Sequence, residues 1–264
     1  MNKLINWLML VGAYFRLNLR SHLEYRGAFL SQAVAMIVND SIWIVFWTLF
    51  FNRFPVLQGW HQKDVLTIWA ISASGFGIAA TIFGNTFQLA ALITRGQLDA
   101  WMLYPRLLLP HLALGKMVPS ATGDAIFGYV LFIAFVRPDL SHFALFVLFT
   151  ITAAIVFTAV FLMAGSLSFF VGNAEVLAEQ WIFSVVTFST YPATLFEGGV
   201  KILLFTLIPA GFVSYLPVDA LNTLSLVYAG YTLLGSLAFL AIGVSMFYIG
   251  LSRYESGNLI GMRG

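Results

Sequence analysis

The chain of 264 residues contains no cysteine and very few charges. The absence of cysteine excludes a disulfide framework, a thiolate metal site, a cysteine nucleophile and an iron–sulfur cluster. Charged residues make up only 9% of the sequence and hydrophobic residues 60%, whereas soluble domains contain about 25% charged residues. Because a soluble fold needs charged side chains to cover its surface, this composition excludes a soluble enzyme and indicates a membrane protein.

Motifs for catalysis and for nucleotide binding are also missing. The sequence has no Walker A motif, and Ser166 lacks the glycine context of a nucleophile elbow. The four histidines, His22, His61, His111 and His142, fall at loops or at the ends of apolar stretches and form no i, i+4 metal pair, so we expect surface roles for them. The net charge of +2 is too small to indicate a nucleic-acid partner. We therefore predict no catalytic residue, no metal ligand and no cofactor bound by this chain.

Long apolar stretches are abundant. A helix that crosses the hydrocarbon core of a membrane needs about 20 apolar residues. Six regions reach that length: 28–51, 65–93, 117–136, 143–171, 181–213 and 223–251. The fifth is longer than one crossing requires and contains Tyr191-Pro192, Glu197-Gly198-Gly199 and Pro209. Because broken backbone inside a membrane must face protein or water, we predict an all-α membrane protein of six spans with a re-entrant hairpin at about 196–213 before the last span.

The flanking segments and the basic residues indicate the orientation. In a six-span arrangement nine Lys and Arg residues lie on the side of both termini and four on the other side, which predicts cytoplasmic termini. Residues 1–27 resemble the start of a signal peptide but contain no cleavage site. Arg16, Arg20 and Glu24 recur every four residues, so we predict an amphipathic interface helix there. Residues 28–251 then form one transmembrane domain, and residues 252–264 form a cytoplasmic tail.

Two carboxylates lie within the predicted spans. Asp40 is near the middle of the first span, and Asp124 is about two turns into the third. An intramembrane carboxylate is energetically costly, which makes each of them a candidate for a proton relay or a cation site. The alternative is polar packing, in a polar cleft or against a neighbouring helix. We favour packing because no second acidic residue shares a helical face with either one.

The loop 94–116 contains a short apolar patch between polar residues. Leu98, Trp101, Met102 and Leu103 precede Tyr104-Pro105, which ends the pattern. This spacing predicts a helix too short to cross a membrane, with Leu98 and Met102 on one exposed face. Exposed apolar side chains of this kind contact a protein partner or rest on the lipid interface.

The run from Thr94 to Arg106, TRGQLDAWMLYPR, resembles a segment of bacterial type-2 ABC exporter permeases in which Gly, Leu, Asp and Pro are held at fixed spacing. The resemblance extends to Tyr191-Pro192, to Pro209 and Pro217, and to the tail residues 253–257. The branch that the chain resembles is that of small six-span permeases of largely unknown substrate, some of them described as viologen-export-like. This chain has Gln97 where many of those permeases have glutamate.

This resemblance implies a permease subunit in a bacterial cytoplasmic (inner) membrane. Two such chains, identical or paralogous, would join two separate ATPase subunits that bind ATP and Mg, within membrane lipid. The N-terminal helix and the loop would contact the ATPase. The ATPase-coupling residues would be Arg95, Gly96, Gln97, Leu98, Asp99, Met102 and Pro105. The hairpin, with Glu197, Gly198 and Gly199, would lie on the outer side and help to close the exit.

Two other functions fit parts of the sequence. A proton- or ion-coupled secondary transporter would use Asp40 and Asp124 as coupling groups, but such folds usually contain inverted repeats and none is visible here. A polytopic lipid-modifying enzyme would need a convergent set of catalytic residues, which the sequence does not show.

Overall fold

The computed structural model describes residues 2–105 and 107–254, with side chains described from Met9 onward. These residues are largely helical and contain no strand beyond an isolated bridge between Leu57 and Trp60. The prediction of an all-α membrane protein is confirmed. Arg106 and the predicted tail beyond Tyr254 lie outside the described residues.

Fourteen α-helices follow one another in the described chain. They are α1 (Asn2–Glu24), α2 (Arg26–Arg53), α3 (Gln62–Ile82), α4 (Gly84–Phe87), α5 (Leu89–Thr94), α6 (Leu98–Met102), α7 (Leu108–Leu114), α8 (Ala121–Leu131), α9 (Leu140–Ser166), α10 (Ser168–Val171), α11 (Glu175–Phe188), α12 (Gly199–Leu203), α13 (Leu216–Thr223) and α14 (Leu226–Leu251). Two π-helical turns, Phe132–Val136 and Gly211–Tyr215, and a 3-10 turn, Ala193–Leu195, complete the helical structure.

Four of the helical segments are long and apolar enough to cross a membrane. They are Arg26–Arg53, Gln62–Ile82, Leu140–Val171 and Leu226–Leu251. A fifth apolar segment, Ala121–Val136, is shorter. The four long segments and the short one coincide with five of the six apolar regions of the sequence, and six crossings remain a prediction.

The sequence predicted a single span over the second apolar region, 65–93. The structure instead divides this region into three helices. Helix α3 ends at Ile82, and α4 and α5 follow as separate short helices. The backbone N–H of Val118 donates to the carbonyl oxygen of Ala80 at 3.0 Å. In a regular α-helix this oxygen would accept from the backbone N–H of Gly84. The segment before α8 therefore inserts into the end of α3 and interrupts it.

The fifth apolar region, 181–213, lies between α9 and α14 and is broken as proline and glycine predicted. Helix α11 ends at Phe188, before Tyr191-Pro192. Gly198 has a φ of +60°, a conformation that favours glycine, and starts the short helix α12. The π-helical turn at Gly211–Tyr215 then leads into α13. The chain thus turns back on itself before α14, and the depth of this hairpin in the membrane remains a prediction.

Helices α3, α8 and α9 form the centre of the bundle. The core contains large aromatic side chains of α9, including Phe157 and Phe161, which meet the ring of Phe76 edge-on. Helix α8 approaches α3 closely because glycines lie at the crossing. A Cβ atom at Gly77 would lie 2.3 Å from the backbone nitrogen of Ala125, and one at Gly128 would lie 2.5 Å from the carbonyl oxygen of Ala70. Small residues therefore bring these helices into backbone contact, as in many membrane bundles.

Both ends of the described chain lie at the same end of the bundle, which we call the loop end. There the amide of Asn18 in α1 donates to the carbonyl oxygen of Leu114 at 3.0 Å, and the ring of Tyr254 packs edge-on against Phe169. At the opposite end the amide of Asn222 donates to Asp64 at 2.9 Å. An even number of crossings requires this arrangement of the two ends.

Candidate functional site

The predicted short helix in loop 94–116 is α6, at the loop end. Helix α5 ends at Thr94, and Gly96, with a φ of +67°, follows it and allows the N–H of Gln97 to donate to the carbonyl oxygen of Leu92 at 2.9 Å. A left-handed glycine of this kind is a common helix terminator. Helix α6 starts only two residues later, at Leu98, and ends at Met102, before the turn that contains Pro105. The glycine turn therefore folds α6 back onto α5.

Leu98 is not on an exposed face, and that expectation from the sequence was wrong. Its side chain has 0% exposure and belongs to a buried cluster with Leu89, Ile93, Leu109 and Leu112. The i, i+4 spacing predicted a common face with Met102, but the turn at Gly96 presses the first residue of α6 against α5 and α7. Leu98 thus fixes the loop to the bundle from the inside.

The exposed apolar surface of the loop begins at Met102 instead. The exposed fractions are 51% for Met102, 86% for Leu103, 56% for Tyr104 and 65% for Leu107. We call these four residues the loop patch. Contiguous exposed apolar side chains at the end of a membrane bundle indicate a contact with another molecule.

His111 joins α1, α6 and α7 behind the loop patch. It is buried in α7, and its Nδ1 atom shares a hydrogen bond with the hydroxyl of Tyr14 in α1. The rings of Trp101 and Tyr104 pack edge-on against the imidazole, with centroids 5.0 and 4.8 Å away. The prediction of a surface role for His111 was therefore wrong, since α1, which covers it, could not be placed from the sequence.

An ion pair connects the loop to α11. Arg95 Nη2 lies 2.9 Å from Glu175 Oε2 at the first residue of α11, and both groups are at least partly exposed. On the other side of α6, Asp99 lies close to Tyr254, and burial together with this carboxylate raises the pKa of Tyr254 to about 12. The loop thus touches the ends of α1, α11 and α14 as well as its own neighbours.

Asp40 in α2 and Asp124 in α8 lie side by side within the bundle. Both are buried, with 6% and 4% exposure, and their carboxyl groups are within hydrogen-bonding reach of each other. A Cβ atom at Gly123 would lie 2.3 Å from the carbonyl oxygen of Ala33, so this glycine lets α2 approach α8. The sequence analysis treated the two carboxylates as separate; the structure brings them together as one acidic pair.

A cavity of about 320 Å³ opens beside this acidic pair. Residues of α2, α3, α11 and the turn after α11 line it together with Asp40 and Asp124, and five of the lining residues are aromatic: Trp43, Trp69, Phe76, Phe183 and Tyr191. The indole rings of Trp43 and Trp69 stack with their centroids 5.7 Å apart. We call this space the aromatic cavity. No single sequence motif could predict it, because its residues come from helices that are far apart in the sequence.

The predicted exit residues Glu197, Gly198 and Gly199 are exposed at the opposite end of the bundle. Glu197 and Gly198 line an open cleft together with Gln58 and Lys201. The structure therefore places the hairpin at the end away from loop 94–116, and a gating role for it remains a prediction.

Comparison with known families agrees with this architecture. Residues 37–258 match the model of a family described as ABC-2 family transporter protein, a range that runs from α2 through the loop, the aromatic cavity and the hairpin. Neither a curated protein nor a solved structure matches the chain. Because the family match covers most of the sequence, this multi-pass membrane protein belongs to the ABC-2 family of transporters, as a membrane component.

Proposed function

We propose that this chain is the permease subunit of an ATP-driven ABC exporter in a bacterial cytoplasmic membrane, with both termini in the cytoplasm. It would form the substrate path with a second permease chain, identical or paralogous. Separate ATPase subunits would bind ATP and Mg, since the sequence has no nucleotide motif. Hydrolysis would take place on those partners, and this chain would not act as an enzyme.

The loop patch carries this proposal. Met102, Leu103, Tyr104 and Leu107 are exposed, whereas Leu98, a few residues away, is completely buried. A force applied to the patch would reach the bundle through Leu98 and α5, and would reach α11 through the pair Arg95–Glu175. This geometry suits a contact at which an ATPase moves the permease.

Purification of the tagged full-length chain from native membranes tests the proposal directly. An ABC ATPase and a second permease chain should co-purify in stoichiometric amounts. If the chain is recovered from intact membranes without any ATPase, and its transport persists when ATP is depleted, the exporter function is wrong.

A proton- or ion-coupled transporter remains the second candidate, because the acidic pair Asp40–Asp124 is buried between two helices. Such a transporter would stop when an uncoupler collapses the ion gradient and would continue when the ATPase subunits are inactivated. The opposite pattern is expected for the exporter.

The orientation can be checked with single cysteines, since the chain has none of its own. We expect Gln97→Cys to be shielded from an impermeant thiol reagent in intact cells, and Gln58→Cys and Asp139→Cys to react. All three positions are exposed, and the latter two precede α3 and α9 at the end away from the loop. All three should react after the membrane is permeabilised. Labelling at Gln97 from outside intact cells would reverse the orientation.

The pair Arg95–Glu175 allows a charge-reversal experiment. An exposed ion pair contributes only about 0–1 kcal/mol to stability, so Arg95→Glu and Glu175→Arg should each leave folding unchanged. Each single reversal places like charges at this contact and should lower export several-fold, whereas the double variant should recover most of it. Equal loss in the single and double variants would show that the pair does not connect the loop to α11.

A further inference from the structure

Three properties of the aromatic cavity describe the ligand that would fill it: its size, its acidic pair and its rings. The volume of about 320 Å³ lies in the range of small-molecule sites, roughly 300–1,000 Å³. A bare metal ion would leave most of this space empty, and no group of three or more His, Asp or Glu side chains that could hold a metal occurs among the described residues. The cavity therefore suits an organic molecule.

The acidic pair leaves one buried oxygen without a donor. Asp40 Oδ2 accepts no hydrogen bond from an N–H or hydroxyl group in the described part of the chain, although the residue is 94% buried. A buried carboxylate oxygen without a partner is energetically costly. A proton shared with Asp124, or a donor or positive charge on a ligand in the cavity, would satisfy it. Because two carboxyl groups that share a proton carry one negative charge, a ligand with a single positive charge matches the pair.

The aromatic wall favours the same kind of charge. The faces of Trp and other aromatic rings attract cations through their quadrupole, most strongly where water is excluded. Trp43 and Trp69 lie beside Asp40, and Phe76, Phe183 and Tyr191 supply further rings. The indole N–H of Trp69 also lacks an acceptor among the described residues, so an acceptor atom on the ligand could accept a hydrogen bond from it.

We infer that the aromatic cavity binds a lipophilic organic monocation, held by the Asp40–Asp124 pair and by the rings of Trp43 and Trp69. An anionic lipid headgroup would meet the carboxylates with like charge, and a neutral lipid would leave the negative charge of the pair uncompensated. That the bound cation is the exported substrate rests on the function proposed above, whereas the binding itself does not.

Tetraphenylphosphonium and tetraphenylborate provide a matched pair of probes, because they have the same shape and opposite charge. We expect the full-length chain in nanodiscs to bind radiolabelled tetraphenylphosphonium above the level of empty nanodiscs and not to bind tetraphenylborate above that level. Asp40→Asn should weaken the binding at least tenfold, because the amide keeps the shape and removes the charge. Asp139→Asn is the control, since Asp139 is exposed at the start of α9 and outside the cavity. It should bind like the unchanged protein.

Trp43→Leu provides a second variant, in case Asp40→Asn does not elute as a folded species. Loss of its ring should weaken tetraphenylphosphonium binding several-fold. The inference is overturned if the unchanged chain binds no more than empty nanodiscs, if tetraphenylborate binds equally well, or if the folded variants retain full affinity. If tetraphenylphosphonium does not bind but the ATPase co-purifies normally, the cation site is wrong and the exporter function stands. If tetraphenylphosphonium binds but no ATPase co-purifies, the exporter function is wrong and the cation site stands.

Discussion

Leu103→Asp should abolish the association of this chain with its ATPase without affecting its insertion in the membrane. Leu103 is the most exposed residue of the loop patch, at 86%, so a charge there should cost little in the isolated chain. In the complex the same charge would be buried without a partner. Such a change typically costs about 2–5 kcal/mol, which corresponds to at least about a 30-fold loss of affinity. Co-purification of the ATPase and ATP-dependent export should both be lost.

Leu140→Asp is the matched control for this experiment. Leu140 is a leucine of nearly equal exposure, 84%, at the first residue of α9 and at the opposite end of the bundle. An aspartate in the first turn of a helix is favourable, so this variant should fold. It should also retain the ATPase and export. If the two variants behave alike, or if Leu103→Asp retains the ATPase, the loop patch is not the contact.

Leu98 is unsuitable for this test, although its spacing to Met102 first suggested the pair. Because Leu98 is completely buried, aspartate there would place a charge inside the cluster of Leu89 and Leu112. The resulting loss of export could come from misfolding as well as from a lost contact. Met102→Asp, at 51% exposure, is the better companion to Leu103→Asp.

Local composition was sufficient to predict the apolar helices, the chain breaks before α14 and the existence of α6. Each of these depends on signals within one stretch: apolar length, proline and glycine, or a short apolar run after Gly96. The break after α3 was missed, although Gly84 and Asn85, which disfavour a helix interior, follow Phe83 directly. The break itself depends on Val118, which lies 38 positions after Ala80 in the sequence. Its backbone N–H donates to the carbonyl oxygen of Ala80 in α3.

The acidic pair shows the same limit more clearly. Asp40 and Asp124 each looked isolated, because a helical face relates only residues of the same helix. Their proximity depends on the crossing of α2 and α8, where Gly123 removes the side chain that would separate the helices. A glycine immediately before a buried aspartate was the available signal, but it does not identify the partner helix. The aromatic cavity requires still more, since four helices contribute to its wall.

Gly77 is a position at which the addition of one methyl group should have a large effect on folding. A Cβ atom there would lie 2.3 Å from the backbone nitrogen and 2.7 Å from the Cα atom of Ala125, and 2.7 Å from the carbonyl oxygen of Ala121. Because these are backbone atoms of α8, no side chain can move aside and the two helices must separate. Overpacking of this kind costs about 1–3 kcal/mol. We expect Gly77→Ala to lower the midpoint of thermal unfolding by roughly 2–10 °C, and Gly77→Leu to prevent folding.

Gly230 in α14 offers the same substitution without the clash, since a Cβ atom there meets nothing within 4 Å. Alanine is a better helix former than glycine by about 1 kcal/mol, so Gly230→Ala should unfold at the same temperature as the unchanged chain or slightly higher. The unfolding midpoint can be followed by the loss of monodisperse protein on size exclusion after heating. Equal midpoints for Gly77→Ala and Gly230→Ala would contradict the close α3–α8 crossing. Because α8 also carries Asp124, a displaced α8 should separate the acidic pair, and Gly77→Ala should then weaken tetraphenylphosphonium binding while Gly230→Ala does not.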